Sequence, residues 1–206
     1  MIQKMRVLGL LILAGCTLSG CVSIEDANSA FRRVDRVWQL DYQKTEEELR
    51  QRVVDSDIAT TYNAVRLTFI DLNLPVRNGS IESREIVGEN EAPAPLTKEE
   101  WLEVVKIENP RMREIEPWWM YLPDNPNKYI VTVKATLRPV QDKTFVLMEY
   151  TLDAPELRRR GVVANQYGPP TAVKMAMEKF WRTLTSRLSA INIKEPRRRS
   201  PEEEGF

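Results

Sequence analysis

Two stretches of alternating side chains in the middle of the chain most constrain its fold. Apolar residues occupy every second position from Tyr129 to Leu137 and again from Val146 to Leu152. Period two combined with β-branched residues is typical of β-strands. Pro139–Lys143 separates the two stretches and predicts a tight connection between them. The sequence therefore predicts a β-hairpin, and with it an antiparallel sheet.

Two further stretches have the 3.6-residue period of amphipathic helices. The first helix is predicted over residues 57–73, with Ser56 or Asp57 as its N-cap and a stop before Pro75. The second is predicted over residues 171–192, directly after two prolines that suit a helix start. Their apolar stripes are Ile58, Tyr62, Val65, Phe69 and Leu72 in the first helix, and Val173, Met177, Phe180, Leu184 and Leu188 in the second.

Shorter elements are predicted between these segments. Arg50–Val54 has the composition of a short strand. Asn78-Gly79 predicts a tight turn, followed by a polar strand at Ser80–Val87 that suits a sheet edge or a solvent-facing position. Thr97 and Glu100 have the spacing of a capping box, which predicts a short helix that ends by Pro110.

These elements together predict an α+β fold: a small antiparallel sheet with two long amphipathic helices packed on one face. One domain is expected over residues 49–192, with the Pro- and Trp-rich residues 89–127 as an insertion between strands. Residues 21–48 are charged without a clear period and are interpreted as a tether, apart from a possible short strand at Val37–Leu40. The like-charged blocks of residues 193–206 predict a disordered tail.

The first 21 residues have the layout of a secretory signal. A short basic head, Met1–Arg6, precedes an apolar run from Val7 to Ala14 and several small residues. The run is far shorter than the about 20 residues that a membrane-spanning helix needs. Residues 1–20 are therefore predicted to be a signal peptide that is removed from the mature protein.

Leu18-Ser19-Gly20-Cys21 resembles the lipobox of bacterial lipoproteins. The resemblance implies cleavage before Cys21, a diacylglyceryl group on its sulfur and an acylated amino terminus, which together suffice for stable membrane attachment. Leu13-Ala14-Gly15-Cys16 is a second lipobox-like stretch, but Cys21 leaves an apolar segment of more ordinary length. In Gram-negative lipoproteins an Asp after the cysteine favours the inner membrane. Val22 therefore implies the outer membrane, with the domain facing the periplasm.

Composition excludes several classes of function. Both cysteines lie in the N-terminal segment and the chain has no histidine, so the domain has no disulfide, no His-based triad and no usual zinc ligands. No metal ion or other cofactor is predicted. Cleavage removes Lys4 and Arg6 from a chain with 30 basic and 30 acidic residues, which leaves it slightly acidic. This balance gives no case for a nucleic-acid partner.

Two clusters supply the candidate partner-binding residues. They are Trp118, Trp119 and Tyr121 in an aromatic cluster, and Arg158, Arg159 and Arg160 before the last helix. An exposed tryptophan beside a tyrosine can bind a protein, a sugar face or a lipid interface, although packing of the rings onto the domain is the alternative. Adjacent guanidinium groups can bind a phosphate or a carboxylate, or simply form a solvated loop.

The sequence favours a non-enzymatic interaction or structural module of the cell envelope, tied to the membrane by lipid on Cys21, with an envelope protein or glycan as partner. Two alternatives stay open. A hydrolase would use the carboxylates of Glu82, Glu85, Glu89 and Glu91, although alternation on a polar strand also fits a solvated face. A carrier would hold an apolar molecule between the helices and the sheet, which requires a large apolar cavity.

Overall fold

Ten helices and strands follow one another in the part of the chain that the computed structural model describes, residues 23–115, 121–162 and 168–194. In chain order they are α1 (Ile24–Leu49), β1 (Gln51–Val54), α2 (Ile58–Asp71), β2 (Val76–Ser80), β3 (Glu85–Glu91), α3 (Lys98–Ile115), β4 (Ile130–Val140), β5 (Lys143–Asp153), α4 (Pro155–Arg159) and α5 (Pro170–Lys194). The fold is α+β, as predicted. The predicted signal peptide, both cysteines and the predicted tail from residue 195 onward lie outside the described residues.

The five strands form one sheet in the order β1-β5-β4-β3-β2, and each neighbouring pair is antiparallel. The predicted hairpin is confirmed, because the pairing of β4 with β5 runs from Ile130 opposite Asp153 to Val140 opposite Lys143. The hairpin therefore gives the sheet two opposite ends. One end is the tight turn, and the other is where β4 begins and β5 ends.

One face of the sheet is buried beneath α2 and α5. Buried residues alternate with partly exposed ones along β4 and β5, and both predicted helical stripes face the core. Phe69 of α2 and Phe180 of α5 are at most 2% exposed and pack edge to face, with ring centroids 5.9 Å apart. Burial of one such side chain contributes about 1.5–3 kcal/mol. This layer of side chains is the main attachment of the two helices to the sheet.

Residues 24–49 correct the predicted tether, because they form a 26-residue helix, α1, that packs into the core. Ser23 caps this helix by accepting the N–H of Asp26. The buried residues of α1 are Ala30, Val34, Trp38, Thr45 and Leu49. This stripe is narrow and includes small and polar members, so the surrounding charges obscure its period in the sequence. The predicted strand at Val37–Leu40 is also wrong, since Val37 and Leu40 lie on the outer side of the helix, with Leu40 71% exposed.

The predicted insertion, residues 89–127, is likewise part of the domain. Its first three residues complete β3, and its middle forms α3, whose side chains Trp101, Val104 and Met112 are buried in the common core. Three core side chains on one face fix α3 to the domain, so this segment cannot be treated as an appendage. The boundary at residue 89 was wrong because the glutamates at positions 89 and 91 weaken the apolar pattern of β3.

The start of α3 is confirmed and its end is corrected. Thr97 N–H donates to the Glu100 carboxylate (2.7 Å), and Glu100 N–H donates to Thr97 Oγ1 (3.2 Å), which is the predicted capping box. The helix does not end by Pro110 but continues through it to Ile115. Met112 is buried beyond the proline, and this packing outweighs the hydrogen bond that a proline removes.

The turn between β2 and β3 is formed by residues 81–84, not by the predicted Asn78-Gly79. Ser83 N–H donates to Ser80 Oγ (3.0 Å) and closes this turn. Gly79 instead allows close approach of the two strands, because a Cβ there would lie 2.8 Å from the carbonyl oxygen of Glu85. The predicted polar strand is therefore divided: its start belongs to the edge strand β2, and its end to the interior strand β3.

Candidate functional site

Three segments meet at the end of the sheet that is opposite the hairpin turn. The pairing of Ile130 with Asp153 places the segment 121–129, which precedes β4, beside the segment 154–161, which follows β5. The first turns of α1 join them, since Asn28 Nδ2 donates to the carbonyl oxygen of Gly161 (3.3 Å). We call this assembly the loop pole: residues 23–28, 121–129 and 154–161.

The segment 121–129 is held in place by side chains of α3. Asn109 accepts the N–H of Leu122 (2.7 Å) and donates to its carbonyl oxygen (3.1 Å). Trp101 Nε1 donates to the carbonyl oxygen of Pro123 (2.8 Å). Three hydrogen bonds from one helix thus fix the backbone of a stretch that has no regular secondary structure. Its position relative to the sheet is therefore defined.

The segment 154–161 contains α4, a helix of five residues, and carries the three predicted arginines. Arg158 pairs with Asp153 at the end of β5. Arg159 and Arg160 are exposed and form no ion pair with any residue in the described ranges. Two exposed guanidinium groups therefore lie at this pole.

A cavity of about 290 Å³ lies between the two segments. It is lined by Pro123, Asn125, Lys128, Tyr129, Ala154, Glu156, Leu157 and Arg160. The lining combines apolar side chains with two cations, one carboxylate and one amide. Lys128 Nζ lies 3.8 Å from the Glu156 carboxylate, and both side chains are more than half exposed, so this pair is weak. Such a mixture suits a small charged or polar ligand.

Tyr129, which lines this cavity, carries a hydroxyl that stays protonated. Burial raises the pKa of Tyr129, and the proximity of Tyr121 raises it further. The hydroxyl group therefore remains a hydrogen-bond donor throughout the physiological pH range. Tyr121 itself is 60% exposed, so an aromatic ring with a polar tip stands at the surface of the loop pole.

The structure brings together the predicted binding residues that it describes. Tyr121 and Arg158–Arg160 lie at one pole although 37 positions separate residues 121 and 158 in the sequence. Trp118 and Trp119, together with Cys16 and Cys21, lie outside the described residues. Lys128 and Tyr129 were missed as site residues, because Tyr129 fits the alternation of β4 and a lone exposed lysine carries no signal in a sequence.

An ionic cluster around the buried side chain of Glu108 was also missed. Glu108 of α3 is fully buried, and its carboxylate accepts the N–H and the hydroxyl of Thr171 at the start of α5 (N–O distance 3.1 Å). Arg111 donates to Glu108 (3.3 Å) and to Asp41 of α1, and the hydrogen bond to Asp41 raises the pKa of Arg111. Because these groups satisfy one another, the cluster joins α1, α3 and α5 and has a structural role.

Two of the four acidic residues of the hydrolase alternative form ion pairs. Glu85 pairs with Lys134 (2.6 Å) and Glu89 with Arg77 (3.8 Å). Hydrogen bonds from its own backbone N–H and from the Ser80 side chain lower the pKa of Glu82. A general acid in glycoside hydrolysis needs a raised pKa, so this arrangement does not favour catalysis.

The space between the helices and the sheet does not favour the carrier alternative. The apolar gap lined by residues of the sheet and α5, including Val133, Met148 and Phe180, has a volume of only about 10 Å³. This is near the minimum that a single water molecule occupies. An apolar ligand would have to displace core side chains to enter it.

Among the described residues, no three His, Cys, Asp or Glu side chains form a group that could hold a metal ion. Within the same ranges, no helix is long and apolar enough to cross a membrane. No protein-family model, curated protein or solved structure matches the chain.

Proposed function

We propose that this chain is a lipoprotein of the cell envelope. Acyl chains on Cys21 would attach it to the outer membrane with its domain facing the periplasm. The domain would act without catalysis, as an interaction or structural module, and its loop pole would contact another envelope component.

The observation that carries this proposal is the short distance, in sequence, between the lipobox-like stretch and the folded domain. The stretch ends at Cys21, and Ser23 is already the N-cap of α1. Two residues of extended chain span at most about 7 Å. A lipid on Cys21 would therefore hold the domain directly at the membrane surface, with the start of α1 nearest to it.

The loop pole supports an interaction role. It combines exposed Tyr121, the cavity beside Tyr129, and the side chains of Arg159 and Arg160, which are exposed and have no ion pair with any described residue. Aromatic and arginine side chains are enriched among the residues that dominate binding energy at interfaces.

The anchor is tested by expressing the full chain in a Gram-negative host and measuring its intact mass after extraction from membranes. We expect the mass of a chain that begins at Cys21 and carries a diacylglyceryl group and a further acyl chain. Cys21→Ser should abolish both the acylation and the cleavage of the signal peptide. Cys16→Ser should change neither. An unmodified wild-type mass, or acylation that follows Cys16, would contradict the proposal as stated.

The interaction role is tested with a photo-crosslinking amino acid at position 121. We expect it to capture a discrete envelope protein, glycan or lipid in intact cells. The matched control is the same amino acid at position 82, which is exposed at the opposite end of the sheet. Equal labelling from the two positions would remove the basis for a role of the loop pole.

A further inference from the structure

We propose that the loop pole is a lipid-contacting site, in which Arg159, Arg160 and Lys128 bind phosphate groups of anionic phospholipids in the membrane that holds Cys21. This inference rests on the proposed lipid anchor and names the component that the loop pole contacts. The acyl chains would hold the protein in the membrane, and the basic side chains would fix which end of the domain faces the headgroups.

The start of α1, which follows the proposed anchor in the sequence, contacts the loop that carries the arginines. Asn28, in the second turn of α1, donates to the Gly161 carbonyl oxygen (3.3 Å). Ile24 Cγ2 lies 3.9 Å from the position that a Cβ on Gly161 would occupy. Cys21 is only three residues before Ile24, which is at most about 10 Å of extended chain. The lipid would therefore hold the loop within about one to two Debye lengths of the headgroups, each roughly 10 Å at 0.1 M salt.

Two of the three proposed phosphate-binding side chains have no ionic partner among the described residues. Arg158 and Lys128 each have a carboxylate partner, Asp153 and Glu156 respectively. Arg159 and Arg160 have no ionic partner among the described residues. Guanidinium groups match phosphate oxygens with paired N–H donors, so these two side chains are expected to contribute most of the preference for anionic lipid.

The cavity offers a place for one headgroup. Its volume of about 290 Å³ is at the lower limit for ligand pockets, roughly 300–1,000 Å³, and suits a small polar group better than a peptide. Lys128 and Arg160 line it together with the amide of Asn125. The Tyr129 hydroxyl, which burial keeps protonated, is a further donor. Four side chains can therefore donate to phosphate oxygens at one place.

Exposed apolar groups at the same pole suit the interface of a bilayer. Ile24 is 56% exposed and Tyr121 60% exposed. Tyrosine is enriched at membrane interfaces, where its ring lies among the headgroups and its hydroxyl stays in water. Glu25 and Asp26, in the first turn of α1, oppose anionic lipid. The attraction is therefore local to Lys128, Arg159 and Arg160 and not a property of the whole pole.

The test uses the complete acylated chain in liposomes of phosphatidylcholine alone or with an equal part of phosphatidylglycerol. An introduced cysteine is the sole reactive thiol once Cys21 is acylated and Cys16 is removed with the signal, because the chain has two cysteines. A fluorophore is placed at Asp124→Cys in the loop pole or at Asp142→Cys in the hairpin turn. Energy transfer to an acceptor on lipid headgroups reports how often each end lies against the bilayer.

We expect the probe at position 124 to transfer more in anionic than in neutral liposomes, and the probe at position 142 to show no increase. The double variant Arg159→Gln with Arg160→Gln should remove this difference. Each substitution should reduce the preference of the docked orientation for anionic over neutral lipid by about fivefold. The matched control, Arg84→Gln with Arg138→Gln, removes two exposed arginines from the other end and should leave it unchanged. High salt should act as the Arg159 and Arg160 variant does.

Two results would overturn the proposal: transfer at position 124 that is equal in the two kinds of liposome, or equal loss in the test and control variants. Failure of the anchor is distinguishable from both. A chain without acyl groups would not float with liposomes of either composition and would show an unmodified mass, whereas a failed docking site leaves flotation intact.

Discussion

The two ends of the β4–β5 hairpin carry similar side chains but differ in how those side chains are packed and where they lie. We call the end at the tight turn the hairpin pole: residues 55–57, 81–84 and 138–144. Each pole has two exposed arginines without an ion pair to any described residue, and each exposes apolar groups. These are Arg159, Arg160, Ile24 and Tyr121 at the loop pole, and Arg84, Arg138, Ile81 and Val140 at the hairpin pole. Surface composition alone therefore does not distinguish the loop pole from the hairpin pole.

The difference lies in packing and in position. The hairpin pole is closed by its own contacts: Lys143 pairs with Asp55 (3.5 Å), and Thr144 Oγ1 donates to the Ser56 carbonyl oxygen (2.9 Å). The loop pole instead encloses a cavity of about 290 Å³ and lies beside the start of α1. A candidate site is thus recognised by unfilled space and by its place relative to the proposed anchor, and not by residue type alone.

The strongest test of this contrast removes the buried carboxylate beneath the loop pole. Glu108→Ala should lower the free energy of unfolding by about 2–3 kcal/mol, the cost of taking a charged acceptor away from partly buried hydrogen-bond donors. The loss follows because the N–H and the hydroxyl of Thr171 lose their acceptor and Arg111 keeps only Asp41. Urea denaturation followed by circular dichroism measures the change.

The control for this substitution is Glu103→Ala, since Glu103 is exposed on the same helix. It should change the unfolding free energy by less than about 0.5 kcal/mol. If Glu108→Ala were as mild as this control, the cluster would not hold α1, α3 and α5 together. The order of the loop pole would then need another explanation.

The next test concerns the support of segment 121–129. Asn109→Ala removes two hydrogen bonds to the backbone of Leu122 and should cost about 1–3 kcal/mol. Amide hydrogen exchange should accelerate in residues 121–129, with protection at the hairpin pole unchanged. Asn127→Ala, an exposed position in the same segment, serves as the control. Uniform acceleration at both poles would mean that Asn109 stabilises the whole domain and not this segment.

The central hairpin and two of the helices could be predicted from the sequence, because their apolar residues follow one period without interruption. Val131, Val133, Ala135 and Leu137 are all at most 4% exposed, as strict alternation predicts. Helix α1 could not be predicted in the same way. Its buried stripe includes Ala30 and Thr45, whereas its large apolar residues Val37 and Leu40 face outward. Only tertiary packing of Trp38 and Val34 decides its orientation.

The candidate site could be predicted only in part, for a related reason. Charge and aromaticity are visible in a sequence, so Tyr121 and Arg158–Arg160 were identified as candidates. Their proximity depends on the register that pairs Ile130 with Asp153, and no local pattern reports it. Glu108 was missed because a glutamate is ordinarily exposed. Its burial depends on the N–H of Thr171, 63 residues later in the chain.

A smaller effect is expected from the closed contacts of the hairpin pole. Thr144→Val keeps the shape of a fully buried side chain but removes its hydrogen bond to the Ser56 carbonyl oxygen. The unfolding free energy should fall by about 1 kcal/mol, since Thr61 Oγ1, 3.4 Å from the same oxygen, compensates in part. Lipid-dependent energy transfer at position 124 should not change. A change there would couple the two poles and contradict their independence.

The smallest effect is a pH dependence at the hairpin pole, where Asp57 caps α2. Hydrogen bonds from the Thr60 backbone and side chain, aided by the N–H of Ala59, lower the pKa of Asp57 from its ordinary value of 3.8. A lowered folded-state pKa means that the ionised cap contributes its full stability above 3.8 and loses it as the pH falls through the folded value. Asp57→Asn keeps the cap but cannot ionise. Urea denaturation should therefore find the wild type more stable by about 0.3–1 kcal/mol at neutral pH, with the difference vanishing in acid. A difference that stays constant across this range would show that the charge of Asp57 does not stabilise the helix.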